Sequence, residues 1–226
     1  AATRTFAGMS FLFNGAFNVG NEGLTPDQIP GAYVSPNLFK MLGVSPALGR
    51  DFTPAEETPG TPIVVLLCNT TWRQRYGGDP NIVGKPIRII DQPGTIIGVM
   101  PEGMHFPFNA NIWLPTGSMP PAITGQPRQA RGYFAVGRLN DGVTVEQARA
   151  ELKTIGGTLA AQYPETNKDL WPHADPFVER ILGPQISLLF WALLGAVGFV
   201  LLIACSNVAN LLLAKAAGRS SEMSVR

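Results

Sequence analysis

The sequence predicts an α+β domain built on mixed sheets, followed by one membrane-spanning α-helix. Three observations lead there. Residues 186–214 read ISLLFWALLGAVGFVLLIACSNVANLLLA and hold no charge. A helix needs about 20 apolar residues to cross a hydrocarbon core roughly 30 Å thick, so this run reaches across. The 226 residues also include 25 glycines and 20 prolines, which implies many turns and short elements before that run. Finally, short apolar runs of strand length alternate with segments that carry helix start and stop signals.

The elements follow in order. Residues 9–19 (MSFLFNGAFNV) suit a strand or a hairpin, and residues 29–34 a second short strand. Residues 35–43 (SPNLFKMLG) suit a short helix, with Ser35 as cap, Pro36 in the first turn and Gly43 as a left-handed stop. Residues 44–52 form an irregular connector, and Thr53-Pro54-Ala55-Glu56 reads as a capping box with proline inside. Residues 63–68 are a continuous apolar run, predicted as a strand buried on both faces. Asn69 is placed to cap a helix through Trp72, Arg73 and Tyr76, ending at Gly77-Gly78, with Trp72 and Tyr76 turned to the core. Residues 85–90 and 94–99 flank Asp91-Gln92-Pro93 as a hairpin, and residues 112–114 form a short strand. The Pro- and Gly-rich residues 115–127 suit a mobile loop or a subdomain boundary.

Residues 133–139 form another strand, closed by the Asp141-Gly142 turn. Residues 144–163 are the strongest soluble helix: Thr144 and Gln147 make a capping box, while Ala148, Leu152, Ile155 and Leu159 share a face before Pro164 ends it. Residues 175–181 are expected as a last strand or an extended lead into the membrane helix. The domain division that results is 1–183 outside the membrane and 184–226 in and beyond it.

The composition narrows function. Net charge is +1, which gives no electrostatic case for nucleic acid. Of the two cysteines, Cys205 lies within the apolar run and Cys68 ends a strand-like segment, so no disulfide framework is expected. The segment GDPNIVGKP (78–86) is the nearest approach to a phosphate-binding loop. It has five residues between its glycines instead of four, and Pro86 stands where a hydroxyl should hold magnesium. It reads as a turn into a strand. His105 and His173 are the only histidines and are far apart, so neither a metal site nor a bound cofactor is expected. No nucleophile-elbow pattern occurs, and enzymatic activity in this chain is not expected.

Lys215, Arg219 and Arg226 follow the apolar run, with Glu222 as the one acid, while Glu179 and Arg180 before it cancel. Positive flanks mark the cytoplasmic end, so residues 1–180 are expected outside. The chain starts at Ala1 without a leader, so an upstream signal or helix is expected, unless the single helix is itself the insertion signal. Within the run, Ala192, Ala196, Ile203, Asn207 and Asn210 lie near one stripe, with Ser206 beside it. Small residues permit close helix approach, and amides in a bilayer seek partners across an interface. The stripe therefore packs against other membrane helices, or the two asparagines sit near the headgroups.

Several segments together resemble one family. VSPNLFKMLGVSPALGRDFTPAE (34–56), WRQRYGGDPNIVGKPIRI (72–89), IIGVMPEGMHFP (96–107) and GVTVEQARAEL (142–152) resemble the MacB-like periplasmic core domain. The end of the chain, from LLGAVGFVLL onward, resembles the FtsX-like permease region. Within the family the chain most resembles the duplicated orphan permeases of acidobacteria. The resemblance implies a fragment of a permease subunit of an ATP-binding-cassette system in the bacterial inner membrane, with residues 1–180 in the periplasm. It implies that ATP and magnesium are bound by a separate ATPase subunit, and that a second permease half or copy completes the pair. A periplasmic adaptor is a further partner of such systems. Mechanotransmission is the mechanism implied: ATP-driven motion of the membrane helices moves the periplasmic domain. The alternatives are an FtsX-type regulator of a cell-wall enzyme and a membrane-anchored binding module. Arg219, Glu222 and Arg226 match the family's basic stretch entering the cytoplasmic coupling segment, where Ser220 and Ser221 replace arginines often found there and Lys215 stands where arginine is common.

Overall fold

The computed structural model describes residues 3–21, 24–127, 130, 132–168 and 170–223. The chain divides into two compact units, Ala1–Ala174 and Asp175–Arg226.

The first unit is organised by one long strand, β1 (Phe6–Asn21). Its second half pairs antiparallel with β2 (Leu24–Val34), in a register that sets Leu12 opposite Val34 and Phe17 opposite Ile29. The remaining strands are β3 (Leu48–Gly49), β4 (Ile63–Leu67), β5 (Pro86–Ile89), β6 (Gln92–Val99), β7 (Ile112–Pro115) and β8 (Phe134–Leu139). From β2 the sheet runs through β7, β4, β6 and β5 back to β1, so six strands close into a ring. The pairing is mixed: β2–β7 and β4–β6 are parallel, and the other joints of the ring are antiparallel. The first half of β1 reaches out of the ring to pair with β8, from Phe6 opposite Leu139 to Leu12 opposite Phe134.

Alternation along the strands divides the apolar residues. Phe17, Ile29, Val65, Ile87, Ile96 and Ile112 come from all six ring strands and form one cluster, which therefore fills the ring. Trp72 and Tyr76 of α2 (Asn69–Tyr76) pack against this cluster, as their spacing of four predicts. Val64, Leu66, Ile97 and Trp113 point the other way. They are covered by Leu38 and Phe39 of α1 (Leu38–Leu42) and by Phe52. Each fully buried aliphatic side chain contributes about 1.5–3 kcal/mol of transfer energy. Gly31 is required by the filling of the ring: a Cβ there would stand 2.5 Å from Ile112 Cγ2 and 2.6 Å from Phe17 Cε2.

Several boundaries differ from expectation. The helix expected from Ser35 begins at Leu38, because the Ser35 hydroxyl accepts from the Phe11 N–H at 3.0 Å and fastens β1 instead of capping. Gly43 does end it, at φ 73°. The cap of α2 is Cys68, whose Sγ accepts from Thr71 N–H at 3.2 Å, while the Asn69 carbonyl accepts from Arg73 Nε at 2.8 Å. The β5–β6 turn is Ile90-Asp91, both at positive φ, so Gln92 and Pro93 already belong to β6. Two left-handed residues in a two-residue hairpin match the right-handed twist of its strands. Residues 115–127 include a 3-10 turn (Thr116–Ser118) and α3 (Pro121–Thr124), and Met119 and Ile123 join the ring's apolar cluster. Residues 9–19 lie within one strand, β1, whose antiparallel partner β2 begins at Leu24.

The capping box at Thr144 and Gln147 is present and opens α4 (Val145–Gln162). Of its apolar stripe Ala148 is buried, whereas Leu152, Ile155 and Leu159 are half-buried. Pro164 opens a further turn, α5 (Pro164–Asn167). The strand considered for residues 175–181 is absent: Phe177 already begins α6 (Phe177–Met223), a single helix of 47 residues.

Candidate functional site

The second unit holds a helix whose apolar side chains, among the described residues, have no cover. Within α6, Leu188–Leu212 is 25 residues long and none of it is buried. At 1.5 Å per residue this stretch is about 37 Å long, and the whole helix about 70 Å. The span alone is therefore long enough to cross a hydrocarbon core, and the helix continues past it at both ends. Every side chain from Leu188 to Leu212 is exposed, including Trp191 at 69% and Leu201 at 65%. A helix that is apolar on all sides has no inward face, and water is a poor solvent for it.

At 100° per residue, Ala192, Ala196, Ile203, Asn207 and Asn210 fall within an arc of about 60° on this helix. All five are exposed. The helical backbone thus brings the sequence-predicted stripe onto one side. Lys215, Arg219 and Glu222 lie further along α6. Arg226 is outside the described residues.

Concavities in the first unit include a cleft and a groove. A cleft of about 390 Å³ is lined by Asp27, Gln28, Thr71, Gln74, Arg75 and Asn111. Its cation is engaged within the fold: Arg75 Nη2 donates to the Val19 carbonyl at 3.0 Å, and Nη1 lies 3.9 Å from Asp27 Oδ2. A smaller groove of about 280 Å³ lies among Gly8, Asn37, Lys40, Met41 and Arg138. Among the described residues no group of three or more His, Cys, Asp or Glu converges as a metal would need. The segment that resembled a phosphate loop turns at Gly84, φ 87°, and enters β5. Lys85 is bonded to Asp79, so its ammonium is taken within the turn.

Electrostatics in this unit are structural. Burial pushes the Glu56 carboxyl up, but Arg50 at 2.7 Å and the Thr53 N–H at 2.7 Å together outweigh it and leave the group below its usual range. Burial raises Asp51 and pushes Tyr33 up to about 12. Glu151, on α4, is held below the usual glutamate range by the backbone N–H of Arg4, the hydroxyl of Thr5 and the backbone N–H of Thr5.

The sequence reading did not single out the contacts α4 makes with both ends of the first unit. The available signal was Gly156, in the middle of the strongest helix, where glycine costs about 1 kcal/mol against alanine unless something must approach closely. Pro172 does so: a Cβ on Gly156 would stand 2.6 Å from Pro172 Cδ.

Comparison with known proteins places this geometry. The profile of the MacB-like periplasmic core domain matches residues 2–155. Macrolide export ATP-binding/permease proteins MacB of Salmonella paratyphi A and Salmonella typhi are 27% identical over 197 residues, which is 85% of this chain and 29% of theirs. The chain thus spans under a third of the length of these relatives. Three solved structures share the fold. The periplasmic region of MacB from Actinobacillus actinomycetemcomitans is 18% identical, with TM-score 0.52 over 73% of this chain and 71% of that one. A domain of a putative permease from Porphyromonas gingivalis is 16% identical, with TM-score 0.55 over 79% and 80%. The extracellular domain of the noncanonic ABC-type transporter YknZ from Gram-positive bacteria is 15% identical, with TM-score 0.54 over 73% and 80%.

Proposed function

The chain belongs to the MacB-like periplasmic core domain family, and from that premise we propose that it is part of a permease subunit of an ATP-driven mechanotransmission system. ATP hydrolysis takes place on a separate cytoplasmic subunit, and α6 carries the resulting motion to the periplasmic unit. The observation that carries this reading is α6 itself. One uninterrupted 47-residue helix follows the globular unit directly and contains an exposed apolar span of 25 residues. A continuous helix passes displacement along its axis, where a flexible tether would absorb it.

In this reading the first unit lies in the periplasm and the span in the inner membrane. Ala192, Ala196, Ile203, Asn207 and Asn210 face further permease helices, since amides facing lipid are costly. Lys215, Arg219, Glu222 and Arg226 enter the segment that meets the ATPase. A second permease half or copy completes the assembly, and the work is done on an exported substrate, directly or through an adaptor.

Co-purification of the full-length protein from membranes tests this. Recovery of a subunit with a nucleotide-binding P-loop supports the permease reading. Recovery of a cell-wall hydrolase without any ATPase overturns it in favour of regulation, and protection of residues 1–174 from protease added outside spheroplasts overturns the topology.

A further inference from the structure

The two segments by which the chain joins and leaves the first unit meet on one helix. On the incoming side, Glu151 of α4 accepts from the Arg4 N–H at 2.7 Å, from the Thr5 N–H at 3.0 Å and from the Thr5 hydroxyl. Asn140 holds the same segment from beyond β8, donating from Nδ2 to the Arg4 carbonyl at 2.8 Å. On the outgoing side, Arg149 Nε donates to the Ala174 carbonyl at 2.7 Å, and Pro172 sits in the slot left by Gly156. Arg149 and Gly156 are seven residues apart and share a face of α4, whereas Glu151 is about 200° from Arg149. The helix therefore grips the incoming segment on one side and the outgoing segment on the opposite side. Thr144 and Gln147 fix its first turn.

We propose that α4 is a clasp that makes Arg4–Thr5 and Pro172–Ala174 one mechanical unit, so that displacement of the outgoing segment reaches β1 through α4. Ala174 precedes α6 by two residues, so the clasp stands where motion of that helix would arrive; this role in transmission rests on the permease reading. Without the grip, residues 170–176 would stretch first and β1 would feel nothing. β1 belongs to both the ring and the β8 pair, so it is the strand through which a pull spreads furthest.

Hydrogen exchange on the full 226-residue chain in detergent, read by mass spectrometry, tests the clasp. Glu151→Gln weakens the incoming grip, and Gly156→Ala forces Pro172 from its slot. Arg149→Met removes the bond to Ala174, together with the surface ion pair to Glu146 at 4.0 Å, and serves where Gly156→Ala disturbs α4 itself. Each substitution is expected to speed exchange about threefold or more in both residues 3–8 and residues 170–174, as loss of a hydrogen bond should. The amides of β4 keep their rates. Acceleration confined to the segment next to each substitution, or none in either, overturns the proposal. Failure to co-purify an ATPase would sink the permease reading and leave these rates as they are.

Discussion

The two units use the same residue types in opposite ways. In the first, Leu66, Trp113 and Phe39 are fully buried, because alternate residues of six strands converge on one interior and the others are covered by α1. In the second, Leu201, Trp191 and Phe199 stand 65–71% exposed on a helix with no charged residue over 25 residues. Period-two alternation lets a chain bury its own apolar surface, whereas an all-apolar helix must borrow cover from lipid or from other helices. The first unit carries its solvent boundary in its own sequence, and the second takes it from its surroundings.

The largest effect should come from removing detergent. Residues 1–174 alone are expected to stay monomeric in buffer on size exclusion, and the full chain to aggregate. A monodisperse full chain without detergent would break the comparison. Next, Trp113→Ala empties the site of the largest fully buried side chain among the described residues, where the indole Nε1 also donates to the Phe106 carbonyl at 2.9 Å. Chemical denaturation should show a loss of about 3–5 kcal/mol, while Leu201→Ala leaves the unfolding of the first unit unchanged. Gly31→Ala should cost about 1–3 kcal/mol by overfilling the ring, read in the same way.

The smallest effect concerns acid. Glu56 has a lowered carboxyl pKa, so its stabilisation is complete above the ordinary glutamate value of 4.5 and fades as pH falls through the lowered value. Thermal melting of residues 1–174 should therefore show an acid step that Glu56→Gln reduces. An unchanged step would assign the acid sensitivity to other carboxylates.

Local grammar made part of this architecture legible. Gly43 and Gly77 end helices in the left-handed region, Thr144 and Gln147 open α4, and the apolar run at 63–67 is a strand buried on both faces except at its first residue. The membrane helix followed from composition alone. What sequence hid was set by distant partners. Ser35 looks like a cap until β1 claims its hydroxyl, and Asn69 looks like one until the buried Cys68 takes the place. Asp91-Gln92-Pro93 has turn composition, yet register with β5 moves the bend to Ile90-Asp91. Closure of the ring by β1 and β2 leaves no local trace, because any antiparallel hairpin would read the same. For the site, the stripe from Ala192 to Asn210 was legible because helical spacing is fixed. The grips on α4 join residues more than a hundred positions apart on one side, and only Gly156 hinted at the other.

β1 spans residues 6–21, yet one of its partners, β8, ends at residue 139. β1 must therefore wait for β8 to be made before its pairing is complete. Such long-range joints form slowly, and unfinished strands invite pairing with neighbouring chains. Folding of the first unit is thus gated by the arrival of β8, and a pause in synthesis before residue 139 would leave an adhesive strand end exposed.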